Sequence, residues 1–564
     1  MSLIVRSAPL RRTSRTLLKC LSKKNFERLI YRTYFVGRSD GKVSGSPLKR
    51  SSPLSHGRDL NFALLGGGVL VLTYSYFSSK SVVSLDTVKG LRYYSNGANG
   101  ENLVQKAGAA EEESSQSGSG HGDSIVLLTE QQIDAKLRGG EKSFLVNRGK
   151  GIVRYDVSQL ASNHPIEDNH VEQVISVPVS GEADRQEELY FFGIFDGHSG
   201  SFTSAKLSQE LVPYVARKLS QFYREGTDAL ASSSKMDEAL IQTFEQLDND
   251  IVYGSLGKLL REPTKDNMVG CLPAISGSCA LLTAYNSLDS TVKVAVSGDS
   301  RALIAGVDGK GQWVVKSLST DQTGDNPDEA RRIRSEHPGE PNVVRNGRVL
   351  GSLQPSRAFG DCRYKVGEVD GQSLANLPDH LRIYFRSKPR NFLTPPYVTA
   401  RPEITTTRIE PNTKFMVLGS DGLFELLTNE EIAGLVIRWL QSNGRGDSSA
   451  AASEGKLPHV TDLSAHKEFL RPAFRYQSTK EGSEGYLMED KNVATHLIRN
   501  ALSAGGSKEY VSTLVSIPSP MSRKYRDDLT VTVVFFGDTT DKTQPNNGTI
   551  EPNLEATALP KPRL

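Results

Sequence analysis

Twice in this chain a run of apolar residues suited to a buried strand ends in an aspartate followed by glycine. The first is Leu189–Gly200, LYFFGIFDGHSG, in which Tyr190, Phe191, Phe192, Ile194 and Phe195 lead into Asp196 and the turn Gly197-His198-Ser199-Gly200. The second is KFMVLGSDGLFELL from Lys414, in which Phe415–Leu418 lead into Asp421 and Gly422. Short runs rich in β-forming residues read as core strands. A carboxylate at the mouth of such a strand is paired, hydrogen-bonded or metal-bound, because burying it bare is too costly. Taken alone, Asp196 could equally cap the next helix.

The organisation of the chain narrows the choice. Residues 1–60 hold 14 Lys/Arg against three acids, whereas the rest of the chain holds 54 bases against 62 acids. A net-acidic body argues against general nucleic-acid binding. The opening MSLIVRSAPLRRTSRTLLKCLSKK is Arg- and Ser-rich and precedes the first acid, Glu27. It reads as a mitochondrial transit leader over 1–60, the alternative being a disordered basic tail. Residues 61–77 include the uncharged stretch FALLGGGVLVLTYSYF. It is read as a short membrane span, with a buried strand or leader remnant as the alternative. Residues 78–124 read as a disordered linker, 125–537 as the folded body and 538–564 as a disordered tail. The four cysteines, Cys20, Cys271, Cys279 and Cys362, form no CxxC pair and suggest neither a disulfide framework nor a zinc site.

Within the body, ASNHPIEDNH places Glu167 and Asp168 side by side before the strand-like VEQVISVPV. In an extended segment the two would face opposite ways; alone they read as a surface pair. Ser201 to about Tyr223 and Met236–Ile251 have helical spacing. Gly298-Asp299 reads as a tight turn between strands, which accounts for Asp299. Asn326-Pro327 starts a helix, and Asp321 before it reads either as a loop carboxylate or as a metal ligand. Thr428 and Glu431 predict a capping box. Arg526-Asp527-Asp528 enters the β-branched strand LTVTVVFF. Residues 365–396 and 443–490 read as insertions.

Glu167, Asp196, Asp421 and Asp527 thus stand at the ends of apolar β-segments. If the strands share a sandwich, the acids meet at one mouth, where they would repel unless cations sit among them. Hard oxygen donors without a Cys or His cluster suit Mg²⁺ or Mn²⁺. Two such ions can turn a bridging water into hydroxide and polarise a phosphoryl group. His198 reads either as a general acid or as a turn histidine bonded to backbone.

The ordered set ED, FDGHSG, SGDSRA, SDGLFE and RDDLTV resembles the metal-dependent protein Ser/Thr phosphatases of type 2C over roughly Ile152–Gly537. PIED and LQPSRAFGD resemble the mitochondrial pyruvate dehydrogenase phosphatase branch, in its fungal form. The resemblance implies an α+β, four-layer α-β-β-α sandwich with two insertions and two Mg²⁺ or Mn²⁺ ions at one end. Asp196 matches the bridging ligand. Glu167 and the Gly197 carbonyl match one metal site, and Asp421 and Asp527 the other. Asp168 and Asp528 match positions behind the ligands, His198 the general acid, and Asp321 a ligand of a weaker third ion. The implied substrate is a mitochondrial phosphoprotein such as the pyruvate dehydrogenase E1 alpha subunit.

Two departures stand out. The family usually has a phosphate-binding Arg where this chain has Asn163, which leaves Arg357 as a substitute. Glu425 stands where many members have an Asp of the third metal site. The competing readings are a catalytically inactive phosphoprotein-binding member and a hydrolase of small phosphate esters. The leader places the body in the matrix or on the intermembrane-space side of the inner membrane; the C-terminal Pro562-Arg563-Leu564 resembles a degenerate peroxisomal address.

Overall fold

A computed structural model describes residues 82–84, 124–178, 186–225, 232–443, 485–537 and 548–558. The leader 1–60, the apolar segment 61–77 and most of the linker lie outside them, and so does 444–484 of the second insertion. Among the described residues no helix is long and apolar enough to cross a membrane.

The principal strands in chain order are β1 Lys142–Asn147, β2 Ile152–Leu160, β3 Asn169–Pro178, β4 Gln186–Phe195, β5 Ala280–Asn286 and β6 Thr291–Ser297. They continue with β7 Arg301–Val307, β8 Trp313–Ser317, β9 Glu403–Arg408, β10 Thr413–Gly419, β11 Leu529–Phe536 and β12 Thr549–Pro552. The longer helices are α1 Glu130–Leu137, α2 Phe202–Arg224, α3 Ser233–Asn249, α4 Pro327–Glu336, α5 Asn429–Ser442, α6 Val493–Leu502 and α7 Lys508–Ser516. One sheet has the order β9-β6-β5-β4-β3 and the other β8-β7-β10-β11-β2-β1-β12, antiparallel throughout.

The continuous apolar run of β4 follows from burial on both faces. Tyr190, Phe192 and Ile194 pack with Leu281, Val294, Met416, Leu418 and Val534 between the sheets. Leu189, Phe191 and Phe195 pack on the other face against Leu207, Leu211 and Val215 of α2 and Phe244 of α3. Strand β10 alternates likewise: Met416 and Leu418 face the other sheet, while Phe415 and Val417 meet Ile432 and Val436 of α5 and Leu497 of α6. Helices therefore cover the outer faces of two sheets that share an inner core. The Thr428–Glu431 capping box of α5 forms, and Asn326 caps α4.

Two boundaries differ from the sequence reading. The expected disordered tail at 538–564 is structured in part: β12 adds an edge strand to β1, and Ala556 behind it is buried. The polar surroundings hid this, because the strand is short and pairs through its backbone, with Ile550 as its contact with the inter-sheet core. The first insertion, 365–396, is packed rather than a loose loop. Val366, Val369, Leu377 and Leu381 join the core of α2 and α3.

Candidate active site

Both Asp-Gly strands end at one mouth of the sheets. A cavity of about 1180 Å³ there is lined by Asp196, Gly197, His198, Asp299, Asp361, Asp421, Glu425 and Asp527, with Arg523 among its bases. Strands β4, β10 and β11 bring Asp196, Asp421 and Asp527 to it from both sheets. The Asp421 backbone N–H donates to Asp196 Oδ2 at 3.4 Å.

Close backbone approach explains the glycines. A Cβ on Gly197 would collide with the Glu167 carbonyl oxygen and with Ser204 Oγ; one on Gly422 would strike the Asp528 carbonyl. The loop after β2 therefore lies directly on the end of β4. Glu167 Oε1 accepts the Gly200 N–H at 2.5 Å, and Glu167 Oε2 accepts the Asn163 amide at 3.2 Å. Asp528 staples that loop. Its Oδ1 accepts from the N–H groups of Ser162 (2.5 Å) and Asn163 (3.0 Å), and its Oδ2 from the N–H of Glu167 (2.8 Å). Asp168 turns the other way, is buried, and accepts from Thr530 Oγ1 at 2.7 Å. The adjacent acids Glu167 and Asp168 thus have separate partners.

The electrostatics of the mouth are those of crowded anions. Burial, then the charges of Asp168, Asp421, Asp527 and Asp299, push the Asp196 carboxyl well above its ordinary range. Burial and Asp421 do the same to Asp527, against the opposing pull of Arg523. Asp168 is pushed up to about 7 by burial and by Asp528. Cations among these oxygens would reverse both effects. Among the described residues no three His, Cys, Asp or Glu side chains close into a ready-made metal cage. A hard ion that keeps most of its waters needs only one or two carboxylates each, and that donor set is present.

His198 Nε2 lies 2.7 Å from Asp361 Oδ2. Residues 197–198, 277–278 and 359–360 form a small three-stranded sheet that brings the pair together. Gly277 leaves room for it, since a Cβ there would overlap both side chains. Burial alone would lower the His198 pKa, but the Asp361 charge and hydrogen bond outweigh it and raise it.

Several sequence expectations need correction. Asp321 does not line the cavity: its two oxygens take the Arg301 guanidinium at 2.9 and 2.7 Å, with both side chains buried. A carboxylate so neutralised is a poor ligand for a third ion. Arg357 is also away from the cavity, bonded to Glu329 at 3.1 and 2.6 Å and to the Arg401 carbonyl. Asp299 is more than a turn residue. It is buried at the cavity wall, taking the Cys279 thiol at 3.1 Å and the Gln354 amide at 3.2 Å. Asp361 was legible only as part of SRAFGD, with no signal of its partnership with His198. Arg523 carried no pattern that separated it from its basic neighbours.

Residues 158–481 match the family described as protein phosphatase 2C. The whole chain is 55% identical to a mitochondrial [pyruvate dehydrogenase [acetyl-transferring]]-phosphatase 1 of Saccharomyces cerevisiae, covering 100% of both. A protein phosphatase 2C homolog of Schizosaccharomyces pombe is 40% identical over 72% of this chain and 85% of its own. The human mitochondrial [pyruvate dehydrogenase [acetyl-transferring]]-phosphatase 1 is 30% identical over 72% of this chain and 83% of its own.

Proposed function

Because the chain belongs to the protein phosphatase 2C family, and so is a metal-dependent Ser/Thr protein phosphatase, we propose that its acidic mouth is the catalytic centre and that its substrate is the phosphorylated E1 alpha subunit of pyruvate dehydrogenase. The observation that carries the site is the delivery of Asp196, Asp421 and Asp527 into one cavity by strands of both sheets. In this reading Asp196, the Gly197 carbonyl and, through water, Glu167 would hold one Mg²⁺ or Mn²⁺, and Asp196, Asp421 and Asp527 would hold the other. Such ions supply hydroxide from water and polarise the phosphoryl oxygens.

The chain's own groups do the rest. Asp528 fixes the loop that carries Glu167. Protonated His198 gives its proton to the departing serine or threonine oxygen as the P–O bond breaks. Asp361 holds the imidazole in place. The products are the free hydroxyl side chain and inorganic phosphate.

The substrate rests on the whole-chain identity with the S. cerevisiae enzyme. The same identity supports a mitochondrial location. The test is dephosphorylation of phosphorylated pyruvate dehydrogenase complex by the full chain, beside phosphocasein and p-nitrophenyl phosphate. Preference for the complex supports the assignment. Equal rates on phosphocasein would remove the substrate claim, and activity on the aryl ester alone would favour a small-ester hydrolase.

A further inference from the structure

A phosphoryl group entering this cavity carries negative charge into a ring of carboxylates. Metal ions offset part of that, but a phosphate also needs directional donors on its outer oxygens. Asn163 cannot supply charge, and its amide is taken by Glu167 at 3.2 Å. Arg357 is committed to Glu329. Other bases also line the cavity: Arg348, Arg363 and Lys388 bond the carbonyls of Ser352, Ser387 and Gly367, Arg386 bonds the Ser199 hydroxyl at 3.4 Å, and Lys524 follows Arg523 in the same turn.

We propose that Arg523 is the substrate-phosphate clamp of this enzyme, its guanidinium binding the outer phosphoryl oxygens beside Asp527; this rests on the phosphatase reading above. Arg523 lines the cavity and forms an ion pair with Asp527 through Nη1. Its side chain is still 48% exposed. A guanidinium has five N–H donors in a rigid fork, so one contact to a carboxylate leaves others for a phosphate.

The backbone fixes its position. The turn Met521–Lys524 is stitched to the loop of Asn163 by Ser522 Oγ donating to the Ser162 carbonyl at 2.5 Å. Arg526 Nη2 adds a bond to the Ala161 carbonyl at 2.7 Å. The guanidinium therefore hangs from a segment anchored directly beside Asn163 and Glu167. Charge-assisted, two-pronged contact of this kind is what Arg provides and Lys does not.

The rival account is that Arg523 only steadies Asp527 and so serves metal binding. The full chain is assayed as wild type, Arg523→Ala and Arg523→Lys at saturating Mn²⁺, with inorganic phosphate as product inhibitor and a parallel Mn²⁺ titration. The clamp predicts that Arg523→Ala weakens phosphate inhibition and raises KM by about tenfold or more. Arg523→Lys recovers part of both, and half-saturation by Mn²⁺ stays at the wild-type value. Unchanged phosphate inhibition in both variants, or losses that vanish with added Mn²⁺, would overturn it. Should the wild type show no turnover, the phosphatase reading falls by itself. The clamp is then judged by calorimetric phosphate binding with Mn²⁺ present, wild type against variants, and equal affinity would sink it.

Discussion

His198 Nε2 and Asp361 Oδ2 lie 2.7 Å apart at the wall of the cavity, although 163 positions separate them in the chain. If Asp361 keeps the imidazole charged and aimed, its loss should matter only where the leaving group needs a proton. Asp361→Asn should lower kcat on a phosphoserine peptide by about 10²-fold. On p-nitrophenyl phosphate, whose phenolate leaves without help, the loss should be far smaller. Equal losses on both substrates would make the contact a packing feature.

Gly197 has no room for a side chain, because the Glu167 carbonyl and Ser204 Oγ occupy the space. Gly197→Ala should therefore push the Glu167 loop off the end of β4. The expected cost is about 1–3 kcal/mol of stability, read by urea unfolding, with weaker Mn²⁺ activation read by titration. A variant with wild-type stability and activation would show that the loop yields freely.

Asp321 separates an ion pair from a metal site. Asp321→Ala leaves the buried Arg301 charge uncompensated, and should cost about 3–5 kcal/mol of unfolding free energy. The Mn²⁺ dependence of the surviving folded enzyme should match wild type. A change in the number or affinity of bound ions, measured by calorimetry, would return Asp321 to the metal site.

Glu329 predicts a pH window. Burial would raise its pKa, but the Arg357 and Arg332 hydrogen bonds and charges outweigh it, and hold it at about 2 against an ordinary 4.5. The folded state thus keeps the carboxylate charged where the unfolded chain has protonated it. The contribution is full above pH 4.5 and fades as pH falls toward 2. Glu329→Gln should flatten the stability curve across that interval, as followed by denaturant unfolding at stepped pH. A slope identical to wild type would contradict the assignment.

Much of this was legible in the sequence because the two Asp-Gly strands are buried on both faces. Burial forces an apolar run, and a carboxylate ending such a run stands out. Pairings between distant segments were less legible. Asp299 looked like a turn residue because nothing in Gly298-Asp299 reveals Cys279 and Gln354 across the wall. Asp321 looked like a possible ligand because its neutralising Arg301 lies on a neighbouring strand. Strand β12 escaped notice because it is four residues long and offers Ile550 as its aliphatic contact with the core between the sheets, too short a pattern to stand out.

The central claim is that Asp196, with its neighbours, holds the ions that activate water. The direct measurement is dephosphorylation of a phosphorylated pyruvate dehydrogenase peptide by the full chain with Mn²⁺, with EDTA, and as Asp196→Asn. The account predicts turnover with Mn²⁺ and none with EDTA. It also predicts a loss of about 10³-fold or more in a folded Asp196→Asn variant, since a lost metal ligand removes several kcal/mol of transition-state stabilisation. Turnover that persists in EDTA, or in Asp196→Asn at the wild-type rate, would contradict it.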